Sequence, residues 1–209
     1  MATEADVNGP FEAVVLAAGS GSRFGGGKLL ASWGAGVLLE GALAAAFAAP
    51  VRDVTVVIGA DAEAVAAAAR DFDPRVLIVH AHDYAEGMGA SLRTGIASLP
   101  ADAAGAFVFL GDMPRAPTAV LAPMAEAVRA GALAAAPVFR GQRGNPVLLG
   151  RDLFPQLLAL TGDAGARGVL QGLGDRLALV ESPDDGVLFD VDRPEDITPL
   201  TPESGGEAG

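Results

Sequence analysis

The residues of this chain that could do chemistry gather in a few short stretches. The first is Gly19-Ser20-Gly21-Ser22-Arg23-Phe24-Gly25-Gly26-Gly27-Lys28, which closely follows an apolar run. A glycine-rich turn after a strand exposes consecutive backbone N–H groups, and these line a concave nest suited to phosphate oxygens. Arg23 and Lys28 add positive charge from two points of one loop, in a chain whose formal net charge is −12. Cations set among glycines in an acidic protein mark an anion site; the plain alternative is a floppy loop that binds nothing. Two common phosphate loops do not fit. GxxxxGK[ST] would need Gly at Ser22 and a hydroxyl at Leu29. GxGxxG begins at Gly19 and Gly21 but ends on Phe24, which would block close helix–sheet packing.

Further along, Gly111-Asp112-Met113-Pro114 follows a strand-like run. A carboxylate just past the C-terminal end of a parallel strand faces the crevice in which α/β sheets hold ligands. Magnesium prefers one or two carboxylates plus phosphate oxygens, so Asp112 suits a magnesium ligand; the ordinary alternative is a turn-forming Asp ahead of Pro. Asp190-Val191-Asp192-Arg193-Pro194-Glu195-Asp196 closes the apolar part of the chain. Helix capping accounts for Glu195 and Asp196 beside Pro194 but leaves Asp192 unexplained. Gly87 and Gly89 allow a tight backbone, and Ser91 can offer a hydroxyl to the crevice; a loop with an N-cap explains them equally. Arg143 and Arg167 stand in two further Gly-rich segments and suit phosphate, with plain surface charge as the alternative. His80 and His82 read as loop residues or base-edge contacts, not as catalysts.

The elements that must position these groups alternate. Strands are expected at residues 11–17, 53–58, 75–79, 106–110, 133–138 and 145–149, with closing strands at 177–180 and 187–191. Helices are expected at 37–49, stopped by Pro50, at 61–70 with Asp61 as its cap, and at 90–98, 117–130 and 152–160. Residues 80–87 read as a polar loop. Such alternation predicts an α/β fold, a single doubly wound and mostly parallel sheet, with a small antiparallel insertion within about residues 140–186. Residues 1–10 read as a flexible start, 11–197 as the domain, and 198–209 as a disordered tail. Hydrophobic residues make up 51% of the chain and aromatics only 5%, which predicts a core of small and branched aliphatics. The acidity argues against nucleic acid as a partner. The absence of cysteine excludes disulfides and thiolate metal sites. The start lacks a signal-peptide pattern and no run is long enough to span a bilayer, so a soluble cytoplasmic protein is expected.

The segment LAAGSGSRFGGGK, residues 16–28, resembles the signature loop of the molybdenum-cofactor nucleotidyltransferases, a branch of the fold family that includes sugar-nucleotide pyrophosphorylases. EGMGASL at 86–92, GDMP at 111–114, GQRGNPV at 141–147, GDAGAR at 162–167 and DVDRPED at 190–196 are similar to that family's later segments and occur in its order. The resemblance implies a Rossmann-like nucleotidyltransferase fold. It implies that Leu16, Ala17, Ala18, Gly19, Ser20, Gly21, Arg23, Lys28, Gly87 and Ser91 bind the nucleotide. Asp112 and Asp192 would hold magnesium, and Arg143, Asn145 and Arg167 would face the acceptor. Arg23, Lys28 and Asp112 form the implied catalytic group. The family's usual Thr is Arg193 here, and its usual Ser is Ala90.

The implied reaction is transfer of CMP from CTP to a phosphorylated acceptor, molybdenum-carrying molybdopterin, with release of pyrophosphate. Its product would be the cytosine dinucleotide cofactor of molybdenum hydroxylases, which makes transient contact with such an enzyme an expected partnership. Ala18 and Phe24 favour the cytidylyl branch over the guanylyl branch, which has Gly and Met there. A Cβ at position 18 would narrow the base pocket towards a pyrimidine. Guanylyl transfer, a sugar 1-phosphate acceptor, and a non-catalytic cofactor carrier or chaperone remain as alternative readings.

Overall fold

The computed structural model describes residues 9–162 and 165–197. The flexible start expected before residue 9 and the tail expected from residue 198 lie outside the described residues. The chain opens with strand β1 (Phe11–Ala17), a long loop, and a small hairpin of β2 (Ser32–Trp33) and β3 (Gly36–Val37). Then come α1 (Leu38–Ala48), β4 (Val51–Ile58), α2 (Ala62–Phe72), β5 (Leu77–His80), α3 (Met88–Ala97) and β6 (Gly105–Leu110). The second part holds α4 (Leu121–Arg129), β7 (Ala134–Phe139), β8 (Gln142–Arg143), β9 (Val147–Gly150), α5 (Phe154–Leu158), α6 (Arg167–Gln171) and β10 (Leu177–Glu181).

The main sheet runs β10-β7-β9-β6-β1-β4-β5, with β8 paired to β7. β1 is parallel to both β4 and β6, β4 to β5, and β10 to β7. Only β8 and β9 run against the rest, so the expected antiparallel insertion is these two strands. From β1 the chain builds outward through β4 and β5, then crosses back to place β6 on the other flank of β1. That reversal is the topological switch point at which open α/β sheets leave a crevice beyond the strand ends.

Strand periodicity sorts the core onto two faces. Ala13, Val15, Val56, Phe107 and Phe109 pack under α1, α2 and α4. Val14, Val57, Ala106 and Val108 pack under α3, α5 and α6. Alanines at the helix contacts, such as Ala42, Ala46, Ala66 and Ala69, keep those helices close to the sheet. Far from the crevice, the buried Glu12 is met by Arg52 Nε at 2.7 Å. Burial pushes the Glu12 carboxyl up, and Arg52 opposes that shift. Arg52 also forks onto Asp102, at 2.9 and 3.0 Å. These are structural charges at the opposite end of β1.

Three sequence expectations differ from the structure. Residues 187–191 are not a strand. A short 3₁₀ turn, Asp185–Leu188, starts where Asp184 Oδ1 accepts from the Gly186 amide at 2.8 Å. The backbone beyond it bonds to loops instead of a ladder, with Asn145 N donating to Val187 O at 2.8 Å and Val191 N to Asp112 O at 3.0 Å. Asp61 precedes α2 in a left-handed conformation (φ 51°) and makes no side-chain cap. His80 ends β5 instead of starting a loop, and Tyr84–Glu86 forms a 3₁₀ turn. The β2–β3 hairpin was unanticipated. Among the described residues no helix is long and apolar enough to cross a membrane.

Helix α3 carries Ser91 towards the crevice, and Gly95 sets its height above the sheet. A Cβ on Gly95 would lie 2.6 Å from Val14 Cγ1 and 3.0 Å from Val57 Cγ2. Gly95→Ala is therefore expected to destabilise the protein by about 1–3 kcal/mol, the usual cost of overpacking. Urea unfolding reads this as a lower midpoint with unchanged slope; an unaltered midpoint would show that α3 does not rest on these strands.

Candidate active site

The loop after β1 folds back on itself. Gly25, Gly26 and Gly27 have φ of 96°, 94° and 62°, a left-handed run that only glycine sustains. The amides of Phe24 and Gly26 both donate to Gly21 O, at 2.9 and 3.2 Å. A Cβ on Gly21 would sit 2.9 Å from Lys28 Cβ, so the returning chain presses Lys28 against the start of the loop. Leu29, 8% exposed, anchors the return in the core. The glycines thus bring Lys28 beneath the loop that was expected to cradle phosphates.

There Lys28 Nζ donates to Asp112 Oδ2 at 2.6 Å and lies 3.7 Å from Asp192 Oδ1. Arg23 Nη1 donates to Asp192 Oδ2 at 3.1 Å from a side chain that is 77% exposed. Four of the expected residues, 100 or more positions apart at the extremes, therefore meet in one cluster. Asp190 stands nearby, and sequence reasoning missed it. Partial loss of hydration, then the like charges of Asp192 and Asp112, push its carboxyl up. Three carboxylates against two cations leave this corner of the crevice short of positive charge. Asp196 has a different task. Its Oδ2 accepts from the Asp192 and Arg193 amides at 2.9 and 2.7 Å, which is the capping role expected of it.

A cleft of about 600 Å³ opens beside the cluster. Its walls include Leu16 and Ala17 from the end of β1, Ala18, Gly19, Ser20 and Gly21 from the loop, Lys28 and Asp112 from the cluster, and Gly87 and Ser91 from the start of α3. Tyr84, Ala85, Leu29, Met88 and Leu110 complete it. Tyr84 was not foreseen, although the chain's one tyrosine in a polar loop was a usable signal. A second chamber of about 300 Å³ adjoins it, and Arg143, Asn145 and Arg167 all line it. Leu16, Met88 and Leu110 belong to both chambers and mark their junction. Among the described residues neither Arg143 nor Arg167 has an ion-pair partner.

Some expectations do not match this geometry. Ala18 is 1% exposed, and its methyl faces Gly59, where an added Cβ would meet it at 2.8 Å. It lines the cleft without narrowing it, so the volume argument for a pyrimidine does not hold. Arg23 reaches the cluster through Asp192 and is not part of either chamber wall. His80 and His82 face each other with Nδ1 atoms 2.8 Å apart and line neither of these two chambers. Asp163 and Ala164 of the GDAGAR segment lie outside the described residues.

Could the cluster hold a divalent cation? Asp112 and Asp192 both turn carboxylate oxygens to the one Lys28 ammonium, so they already converge on a point occupied by positive charge. The donors are all oxygen, as a hard cation requires. Among the described residues no set of three or more His, Cys, Asp or Glu forms a ready-made metal cage. A two-carboxylate site completed by phosphate oxygens and water fits magnesium or manganese.

A MobA-like NTP transferase domain matches residues 13–178. The chain is 31% identical to the nicotine blue oxidoreductase of Paenarthrobacter nicotinovorans over 88% of its length and 93% of that protein's. It is 24% identical to the molybdenum cofactor cytidylyltransferase of Escherichia coli K12, over 89% and 93% of the two chains. Among solved structures, Rv0371c of Mycobacterium tuberculosis H37Rv superposes with a TM-score of 0.78 at 27% identity, covering 90% of this chain and 95% of that one. A complex of Rv0371c with manganese matches with a TM-score of 0.69 at 25% identity, over 83% and 88%. The chain belongs to the MobA-like NTP transferase family and is a nucleotidyltransferase.

Proposed function

We propose that this nucleotidyltransferase moves CMP from CTP to a phosphorylated acceptor, molybdopterin carrying molybdenum, and releases pyrophosphate. The observation that carries the reading is the Lys28–Asp112–Asp192 cluster, whose Lys28 and Asp112 line the larger of two adjoining chambers. The larger chamber suits the nucleotide, and the smaller, with Arg143, Asn145 and Arg167 on its wall, suits the acceptor's phosphate. The cytidylyl choice is supported by the LAAG form of the loop and by the Escherichia coli relative, whose name gives both the nucleotide and the acceptor.

In this reaction an oxygen of the acceptor phosphate attacks the α-phosphorus of CTP. The bond from that phosphorus to the β-phosphate's bridging oxygen breaks, and pyrophosphate carries off the electron pair. A phosphate monoester with a second pKa of about 6 is already ionised at neutral pH, so no general base is needed. Catalysis is then positioning and charge stabilisation. Loop amides from Gly19 to Gly21 and the Lys28 ammonium hold the β- and γ-phosphates. Asp112 and Asp192 would hold a divalent cation, magnesium in this proposal, which supplies charge neutralisation on the phosphates. The manganese complex of Rv0371c supports a divalent cation in this family.

The oxidoreductase among the relatives favours a second reading, a redox reaction in the same cleft. The two differ in product. Magnesium, molybdopterin and an equimolar mixture of CTP and GTP are expected to yield pyrophosphate and a product heavier by a cytidylyl group (CMP less water), read by mass spectrometry. A guanylyl product removes the cytidylyl assignment. Absence of pyrophosphate with molybdopterin, sugar 1-phosphates and other phosphorylated acceptors removes the transfer reading.

Asp112→Ala is expected to lower turnover by at least about 100-fold, since a bound metal supplies several kcal/mol of stabilisation. Its partly exposed position leaves the fold intact, which circular dichroism verifies. Near-normal turnover at saturating magnesium would rule out the role. Lys28→Ala is expected to weaken CTP binding by about 10- to 150-fold, the equivalent of the roughly 1.5–3 kcal/mol carried by a charged hydrogen bond. CMP binding, which lacks the β- and γ-phosphates, should fall far less. Equal losses for CTP and CMP in calorimetry contradict the assignment.

A further inference from the structure

Each arm of the Lys28–Asp112–Asp192 cluster runs within a few residues into one aromatic stack. Trp33 lies five positions after Lys28, Arg115 three after Asp112, and Phe189 three before Asp192. The Phe189 ring meets Trp33 with centroids 5.9 Å apart and planes tilted by 41°. The Arg115 guanidinium lies 4.7 Å from the Phe189 ring centroid, within cation–π range. Arg115 Nη2 also donates to Asp185 Oδ1 at 3.0 Å, at the beginning of the same C-terminal strap. Trp33 and Phe189 belong to neither of the two hydrophobic cores. Their contact instead joins the β2–β3 hairpin to the strap formed by residues 185–192.

The strap has no ladder of its own. Asn145 N on Val187 O and Val191 N on Asp112 O tie its backbone, Val187 and Val191 are buried, and Phe189 lies between Trp33 and Arg115. The Asp192 carboxylate, 45% exposed, meets Arg23 and Lys28, and its backbone position is set by the strap. On the metal-site reading given above, we propose that Phe189, clamped by Trp33 and Arg115, is a positioning residue. It sets Asp192 opposite Asp112 and so determines the affinity of the cation site. The same strap touches the Asn145 amide beside the acceptor chamber, so an acceptor seated there and a cation at Asp192 bear on one element.

The probe is manganese alone, followed by loss of its free electron paramagnetic resonance signal, with Trp33, the chain's one tryptophan, as a second reporter. Phe189→Ala is expected to weaken manganese binding about tenfold, as loss of an outer-sphere support typically does. Phe189→Tyr keeps a ring and is expected to restore binding to within about threefold. In the wild type, manganese should change Trp33 emission along the same binding curve, and Phe189→Ala should uncouple the two. At saturating magnesium the KM for CTP should stay within about twofold, because the loop and Lys28 are untouched. Should Phe189→Ala fail to fold, Arg115→Gln tests the same clamp from a solvent-exposed position. Asp192→Asn separates the two layers of the reading. If it weakens manganese binding while folded Phe189→Ala and Arg115→Gln do not, the positioning role is overturned and the metal site stands. If Asp192→Asn changes nothing, the metal site fails and the positioning role with it.

Discussion

One ammonium group holds the site together before any ligand arrives. The Lys28 side chain is only 12% exposed, and an ammonium stripped of that much water must be paired. Asp112 and Asp192 supply the pairing, and in turn their mutual repulsion is relieved by Lys28. The chain thereby neutralises in itself the charges that the proposed reaction needs exposed. A triphosphate competes with the carboxylates for Lys28. A divalent cation competes with Lys28 for the carboxylates. Each ligand frees the groups that the other requires, so their binding should be positively coupled, and by linkage the coupling is reciprocal.

The sheet explains why such distant residues meet. β1 and β6 are parallel neighbours in strict register, Leu16 beside Leu110, and the Gly111 amide donates to Leu16 O at 2.9 Å. The glycine loop and Asp112 therefore leave the sheet side by side at the switch point. β9 is the strand that runs backwards there. Val147 at its start pairs with Val108 near the end of β6, so the Gly144–Asn145 turn before it emerges at the same edge. A parallel strand in that place would have sent its starting turn to the opposite end. The reversal puts the second chamber against the first, the geometry that the proposed transfer between two bound phosphates needs.

Much of this was legible because it follows from local chemistry. Alternating apolar runs gave the strands, and Gly-rich stretches with Arg or Lys gave the loop. GDMP, directly after an apolar run, gave the carboxylate at a strand end. What was not legible depends on partners distant in sequence. Residues 187–191 have the composition of a strand but find loop amides and carbonyls instead of a neighbour to pair with. Ala18 was expected to limit the base, but its methyl turns to Gly59, a contact that no local pattern announces. Asp190 alternates with Asp192 along an extended segment, and only the three-dimensional approach of Asp112 makes it part of the cluster. The family resemblance carried the remainder, including the grouping of Arg143, Asn145 and Arg167, which line one chamber and which no spacing rule could have brought together.

The two chambers also bear on which nucleophile wins. Water is the rival of any acceptor phosphate at an activated α-phosphorus, and hydrolysis would waste the triphosphate. The junction between the chambers is lined by Leu16, Met88 and Leu110, side chains that give water no strong hydrogen-bond partner. Cations lie on both sides of that apolar divide, Lys28 on one and Arg143 with Arg167 on the other. In the proposed reaction the arginines would offset the desolvation of a phosphorylated acceptor, whereas a water at the junction would meet only apolar side chains. Met88 is 45% exposed and contacts Gly165 of the loop leading into α6, where an added Cβ would lie 3.0 Å from its sulfur. On the proposed function, selectivity for transfer over hydrolysis arises from what surrounds the reacting phosphorus, not from a residue that acts on it.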